Sequence, residues 1–370
     1  MESSIFPSVG HLLARADAIA AEAAHEGELL DRESRFPHNS MAALGEAGLL
    51  GSVVPSHYGG ADLGGGIFLL HLLHSLGRGN MAVGRIFEAH VNAIRLVMRY
   101  GGEAQRRRAA ADAVEGKLFA LWVTDDLAVP LRIERRLGAL HLSGTKSICS
   151  AAGHAHRALV TAVTPEGADV MLLLDLGGGE QVSVSGSSLH GMRAAVSGRV
   201  SFNRCTMTLD DIIGAPGDYL REPEFSSGAW RSSAVALGGL SAILAGARAQ
   251  LIARGRDGNP HQRARMGHAF IAHQTGWLWL QKVAQLLEEE ADCEESVAYV
   301  NLARTAVERM AMDALHAIQR SLGLSAFIGG TPIERLCRDL ATYLRQPAPD
   351  EALDEAASYF MRHELPGPTP

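Results

Sequence analysis

The sequence predicts a mainly α-helical protein with a β-domain in the middle of the chain. The first third carries apolar side chains at helical spacing. The middle carries short apolar runs separated by Gly, Pro and Ser clusters, and helical spacing then returns up to the C-terminal residues. We therefore expect a helical N-terminal domain over 1–117, a central β-domain over 118–222 and a helical domain over 223–370.

The N-terminal domain opens on one apolar helical stripe, formed by Leu12, Leu13, Ala16, Ile19, Ala20 and Ala23. Turn-forming residues follow this stripe. Asn39 or Ser40 is a candidate N-cap because a short polar side chain can accept a hydrogen bond from the first helical turn. Gly48 is expected to end the helix that begins there, since glycine adopts the left-handed conformation of helix C-termini.

The β-domain is predicted from five short apolar runs, LFALWVT, ALVTAV, VMLLLD, QVSVSG and RVSFNRCTM. Four long helical segments follow them, at Ala234 to Arg254, Gln262 to Glu290, Glu294 to Leu322 and Pro332 to Leu344. Segments of this length can form a four-helix bundle.

Composition excludes several classes of protein. The net charge of -7 argues against a nucleic-acid partner or an acidic membrane surface, which recruit Lys and Arg. No apolar run was expected to reach membrane-spanning length, so no membrane partner is predicted. Four widely separated cysteines suggest neither a disulfide framework nor a metal site, and we expect a cytoplasmic location. G-x-S-x-G and G-x-G-x-x-G motifs are absent, which argues against hydrolase and nicotinamide-binding functions.

Several stretches resemble the acyl-CoA dehydrogenase flavoenzymes, in the same order along the chain. They read FPHNSMAALGEAGLLGSVVPSHYGG, YGGEAQRRRAAADAVEGKLFALWVTDD, GMRAAVSGRVSFNRCTM, RARMGHAFIAHQ and IQRSLGLSAFIGGTPIERLCRD. The resemblance implies a helical N-terminal domain, a β-barrel-like middle and a C-terminal four-helix bundle. It also implies bound FAD, a homodimer or homotetramer, and an electron-transfer flavoprotein or flavin reductase as redox partner.

The resemblance assigns cofactor positions to residues of this chain. Trp122, Val123 and Thr124 occupy the strand that faces the flavin ring, and Ser150 lies where relatives hold a hydroxyl near flavin N5. Ile148 replaces the family's tryptophan on the ring face. The remaining assigned positions are those near the pyrophosphate and adenosine, partly across the dimer interface: Arg263, Met266, Gln274, Gln319, Arg320 and Gly323.

The chain departs from the family where the reaction takes place. Pro347 occupies the position of the glutamate that removes the substrate proton, and proline has no acid or base group. Asp350 and Glu351 are the nearest acids. Either is a relocated base, or both simply open the following helix, which is the favoured interpretation. At the substrate helix, Arg231 is kept, but the family's acid is lost and Trp230 is added.

Three functions are consistent with such a chain. The main prediction is a FAD-dependent dehydrogenase that acts on an acyl thioester of CoA or a carrier protein, with hydride transfer to flavin N5. The alternatives are a monooxygenase of the same fold, which uses reduced flavin and O2 and needs no carboxylate at that site, and a catalytically inactive relative.

Overall fold

The structure is a computed structural model that describes residues 8–183, 189–288 and 293–366. The chain divides into two compact units. One combines Met1–Gly64 with Gly79–Arg221, and the other combines Gly65–Arg78 with Glu222–Pro370. The limits of the three domains expected from the sequence remain a prediction.

Helices dominate the fold, and 59% of the chain is helical. In chain order they are α1 (Val9–Glu33), α2 (His38–Glu46), α3 (Gly66–Gly79), α4 (Met81–Tyr100), α5 (Glu103–Val114), α6 (Glu224–Ser227), α7 (Ala229–Ala253), α8 (Pro260–Glu288), α9 (Cys293–Leu322), α10 (Pro332–Tyr343) and α11 (Pro349–Phe360). The mainly helical class with a central β-region is therefore confirmed.

The start of α2 differs from the prediction. The helix begins at His38 after Pro37, so neither Asn39 nor Ser40 is its N-cap. The amide of Asn39 instead donates to Glu26 Oε1 at 2.5 Å, and Ser40 is buried. The predicted end is confirmed, because Gly48 follows the helix with a φ of 74°.

The β-region lies within the first unit, and its described residues form the strands β1 (Phe119–Trp122), β2 (Arg132–Arg136), β3 (Ala139–Ser143), β4 (Thr145–Cys149), β5 (Arg157–Val163), β6 (Asp169–Asp175), β7 (Gln181–Ser183), β8 (Gly198–Ser201), β9 (Thr206–Met207) and β10 (Ile212–Ile213). One sheet runs β10-β6-β5-β2-β3-β9, with β1 parallel to β5, and the other runs β4-β8-β7. Each predicted run contains a strand, although residues 184–186 of QVSVSG lie outside the described residues.

A buried histidine joins α4 to the start of β1. His90 Nδ1 accepts the backbone N–H of Phe119 at 3.1 Å, so the ring proton must lie on Nε2, which donates to the Leu50 carbonyl at 2.7 Å. Burial lowers the pKa of His90 from 6.5 to about 4 because the charged imidazolium cannot be hydrated there. This neutral ring fixes β1, which carries Trp122, against the helices of its unit.

The C-terminal helices pack around α9, which contacts α7, α8 and α11, while α10 packs on α7. The four predicted segments are helical over their described residues except at Arg254 and Leu344, which directly follow α7 and α10; Glu289 and Glu290 lie outside the described residues. One expectation is wrong: Glu224–Ala253 is long and apolar enough, by composition, to cross a membrane. Packing against α8, α9 and α10 accounts for this apolar composition, since most apolar side chains of α7 are buried.

Helix α3 belongs to the second unit although it precedes the β-region in the chain. Its backbone lies directly against α7. A Cβ atom on Gly77 would lie 2.2 Å from the carbonyl oxygen of Val235, and one on Gly238 would lie 2.1 Å from that of His74. Only glycine permits this approach at either position.

Candidate functional site

The predicted ring-facing strand is fixed by its own core. Trp122 is 2% exposed, and its indole N–H donates to the carbonyl oxygen of Ser150 at 2.9 Å. The Trp122 side chain is therefore a core residue that ties β1 to the end of β4. Thr124 is exposed, and its carbonyl oxygen accepts the Ser147 N–H at 2.8 Å. Val123 is half-buried.

Ile148 lies at an irregularity in the pairing of β4 with β8, between Lys146 and Cys149. Its φ of 54° is in the left-handed region, which costs a β-branched residue about 1–3 kcal/mol. The side chain is 57% exposed, whereas the hydroxyl of Ser150 is buried and lies 3.2 Å from that of Ser197. The strained bulge thus turns an apolar side chain outward at the position that the sequence assigned to the flavin ring.

Lys146 is a fully buried cation behind this edge. Its Nζ donates to the Val123 carbonyl at 2.9 Å and to Thr161 Oγ1 at 3.0 Å, and lies 2.8 Å from Asp125 Oδ1. Burial lowers the pKa of Lys146, while the hydrogen bond and charge of Asp125 oppose that shift. The ammonium group therefore holds the end of β1 against β4 from the inside.

In the second unit, one hydrogen bond joins the start of α8 to the end of α9, and another joins the residue after α7 to the short segment that follows α9. Gln262 Nε2 donates to the Ser321 carbonyl at 3.3 Å, and Arg254 Nη1 donates to Ser325 Oγ at 3.1 Å. Arg263 and Arg320, each next to a residue of this contact, are exposed. We call this region, with Arg254, Arg263 and Arg320, the basic end.

The other residues of this unit that were predicted to bind the cofactor do not all lie at the basic end. Gln319 is half-buried, and Gly323 has a φ of 62° and opens a short 3-10 helix, Gly323–Phe327. Met266 is buried in α8. Gln274 is exposed but lies about 16 Å along α8 from Arg263, at 1.5 Å per residue. Gln274 and Met266 therefore do not join the basic end.

The position that the sequence comparison assigned to the family base lies in the loop between α10 and α11. Pro347 is exposed, and its carbonyl oxygen accepts a hydrogen bond from Arg304 Nη2 at 2.6 Å. Asp350 and Glu351 are exposed in the first turn of α11, which Ala348 precedes with a φ of 51°. Acids in a first turn stabilise the helix dipole, which agrees with their favoured interpretation.

The two predicted substrate residues are buried in α7. Trp230 is 1% exposed, and no described residue accepts a hydrogen bond from its indole N–H. Arg231 is 3% exposed. His273, by contrast, is half-buried in α8 and has a hydrogen-bond partner, since its Nε2 lies 2.6 Å from Ser241 Oγ.

Comparison with known proteins agrees with this architecture. Residues 12–117 match the model for the acyl-CoA dehydrogenase N-terminal domain. Over 343 residues, the chain is 24% identical to isovaleryl-CoA dehydrogenase from Solanum tuberosum, covering 86% of this chain and 82% of that one. The chain is a divergent relative of the acyl-CoA dehydrogenases. A shorter match, 34% over 141 residues, covers 36% of this chain and 36% of 3-sulfinopropanoyl-CoA desulfinase from Paraburkholderia xenovorans strain LB400.

Solved structures show that this acyl-CoA dehydrogenase relative has the family fold. Butyryl-CoA dehydrogenase from Megasphaera elsdenii is 18% identical and superposes with a TM-score of 0.85, covering 98% of this chain and 100% of that one. FMN-bound TdsC from Paenibacillus sp. A11-2 is 20% identical with a TM-score of 0.85, covering 97% and 99%. TdsC is a dibenzothiophene monooxygenase. A dehydrogenase and a monooxygenase therefore share this fold.

Several features of this acyl-CoA dehydrogenase relative could not be predicted from sequence patterns. The burial of Lys146 and the left-handed conformation of Ile148 depend on strand pairing, which no local motif signals. The contact between Gln262 and Ser321 joins residues 59 positions apart. Within the described part of the chain, no group of three or more His, Cys, Asp or Glu side chains could hold a metal ion.

Proposed function

We propose that this protein is a flavin-dependent oxidoreductase of the monooxygenase type, which works without a carboxylate at the position of the dehydrogenase base. Pro347 carries this proposal. Its exposed ring occupies that position, and the hydrogen bond from Arg304 to its carbonyl ties the loop to α9. Proton abstraction requires a base within hydrogen-bond reach of the substrate. A reaction of reduced flavin with O2 needs no carboxylate there.

The residues present fit a flavin at two regions. The strained, outward-turned Ile148 offers an apolar surface to a ring. Thr124 is exposed nearby, since its carbonyl oxygen accepts the N–H of Ser147, the residue before Ile148. The basic end offers guanidinium groups to a phosphate, which such planar donors bind well. The Gln262 Oε1 and Ser321 Oγ atoms there are buried without hydrogen-bond partners among the described residues. When bound, the flavin would supply the redox centre.

FAD is the proposed cofactor, and a second copy of the chain is the proposed partner at this region. Leu324, Phe327 and Ile328 are 80%, 59% and 51% exposed just beyond Arg320. A dimer that covers these apolar side chains would bring the basic end of one copy close to the cofactor of the other. A reductase that delivers electrons is the expected redox partner.

Arg263→Met and Arg320→Met should each weaken flavin binding about 10-fold or more, because a charge-assisted hydrogen bond contributes about 1.5–3 kcal/mol. Equilibrium dialysis against FAD and FMN, with sedimentation of the same samples, measures both affinity and mass. Arg309→Met is the matched control, since Arg309 is also exposed on α9 but lies about three turns from Arg320. Unchanged affinity in both test variants, or a monomer that keeps its flavin, would contradict the shared site.

The reaction type is tested by anaerobic mixing with a panel of acyl-CoA thioesters, and separately by supplying a flavin reductase, NAD(P)H and O2. We expect no bleaching of the flavin by thioesters and a reductase-dependent uptake of O2 that an oxidisable substrate increases. Asp350→Asn and Glu351→Gln should leave that activity unchanged. Rapid bleaching of the wild-type flavin by a thioester would overturn the monooxygenase proposal.

The second candidate function is that of an acyl thioester dehydrogenase. Three curated relatives, each named as the dehydrogenase of a CoA thioester, support it. Asp350 is then the proposed base, because it follows Pro347 and Pro349, whose rings restrict the loop. Removing a required base slows the chemical step by ~10²- to 10⁴-fold. Under this proposal wild type bleaches with a thioester and Asp350→Asn bleaches far more slowly.

A further inference from the structure

A cavity of about 410 Å³ lies within the second unit between α9 and α11. Its size is at the small end of the range for ligand pockets. Val297, Ala298 and Ala356 provide apolar wall, and none of the predicted cofactor or substrate residues lines it. This α9–α11 cavity is therefore separate from the site proposed above.

The amide of Asn301 forms part of the cavity wall. Asn301 is 2% exposed, yet its amide makes no hydrogen bond to any described residue; its carbonyl oxygen in the backbone accepts from Thr305 Oγ1 at 3.0 Å. The amide, which lines the cavity, therefore keeps its hydrogen-bonding groups available to a ligand. A ligand with a hydrogen-bonding group would satisfy it.

Carboxylates surround the same cavity. Glu222, Glu294, Asp354 and Glu355 line it together with one cation, Arg362. The guanidinium of Arg362 is already engaged, since Nη2 donates to Ser358 Oγ at 2.8 Å and Nε to the Ser358 carbonyl at 3.1 Å. The carboxylate of Glu222 accepts from the hydroxyl of Ser226 at 2.6 Å and from its N–H at 3.0 Å. The lining is thus predominantly negative.

We propose that the α9–α11 cavity binds a small aliphatic amine. The alkyl part would lie against Val297, Ala298 and Ala356, and one ammonium group would donate to the Asn301 amide oxygen. Carboxylates at the rim would attract the positive charge and, in a diamine, hold a second ammonium group. An anion of the same size would meet four negative charges, so the lining selects against it.

Titration calorimetry of the flavin-loaded protein with 1,4-diaminobutane, butylamine, butanol and butyrate tests this. We expect the diamine to bind most tightly, butylamine more weakly and butyrate not at all, with affinity falling as salt rises. Asn301→Leu should weaken diamine binding at least about 10-fold, the usual loss for a hydrogen bond to a charged group. Equal binding of butyrate and diamine, or no diamine binding in the millimolar range, would overturn the proposal.

Matched variants separate binding from folding. Asp354→Asn should weaken the diamine about 2- to 5-fold, as expected for one exposed carboxylate, whereas Asp313→Asn, an equal charge change on α9 away from the cavity, should not. Asn301→Asp keeps the side-chain shape and should bind the diamine at least as tightly as wild type. If Asn301→Leu does not fold, the other three variants decide: equal loss of diamine affinity in Asp354→Asn and Asp313→Asn, or a loss in Asn301→Asp, refutes the site. Flavin content should stay unchanged in all of these variants, because none of them alters a predicted cofactor residue.

Discussion

In wild type, the titration of His90 is expected to lower the free energy of unfolding by about 3 kcal/mol in acid, and replacing His90 with glutamine should remove this decrease. The pKa of His90 is about 4 in the fold, against 6.5 in an unfolded chain. Between these values the unfolded state binds a proton that the folded state does not. The free energy of unfolding therefore decreases as the pH falls from 6.5, and this decrease is complete below about pH 4. At about 1.4 kcal/mol per pKa unit, the difference is about 3 kcal/mol.

Urea unfolding of wild type and His90→Gln from neutral pH to pH 4 measures this effect. The variant can still donate to the Leu50 carbonyl, but it should be less stable at neutral pH by about 1–3 kcal/mol, because the buried Phe119 N–H loses its acceptor. Its stability should then decline less steeply with acid than that of wild type. His57→Gln, at an exposed position, should follow the wild-type profile. Parallel profiles for wild type and His90→Gln would show that His90 is not the titrating group.

Lys146→Met is expected to lower the free energy of unfolding by about 3 kcal/mol. Removing one partner of a buried ion pair typically costs about 3–5 kcal/mol, and the lower value applies because the Asp125 side chain is 33% exposed and keeps part of its hydration. The Val123 carbonyl and the Thr161 hydroxyl also lose their donor. Chemical unfolding at neutral pH provides the measurement.

A double-mutant cycle identifies the cause. Asp125→Asn removes the charge that faces Lys146, so the double variant should be less destabilised than the sum of the two single variants. A loss below about 1 kcal/mol for Lys146→Met would match an exposed ion pair instead and contradict the burial argument.

Local patterns predicted the helices well because burial on one face of a helix leaves a regular trace in the sequence. The predicted and observed ends of α9 differ by one residue at most, and Pro332 was correctly predicted to begin α10. Strands β2 and β3 gave no such trace. β2 reads RIERR, in which charged residues flank a single buried Ile133, so it lacks the apolar run that marks β1, β5, β6, β7, β8 and β9.

The candidate site was predictable in its residue types and less so in its arrangement. Resemblance to a family located Ile148 and Arg320, and both are exposed where a ligand could reach them. It also located Trp122, whose side chain the structure places in the β-region core. Whether a side chain turns inward or outward depends on the strand register and on the bulge at β4, and these are set by pairing with distant residues.

Because α3 precedes the β-region in the chain, the gene encodes the second unit in two separate segments. Synthesis proceeds from the N-terminus, so α3 is complete well before α7 and α8 have been made. Leu69, Leu70, Leu72 and Leu73, all buried in the finished fold, must remain without their final neighbours while the entire β-region is translated. A gene cut at Glu222 therefore encodes neither unit whole: its first product keeps α3 without α7, and its second product keeps α7 without the helix that packs on Gly238.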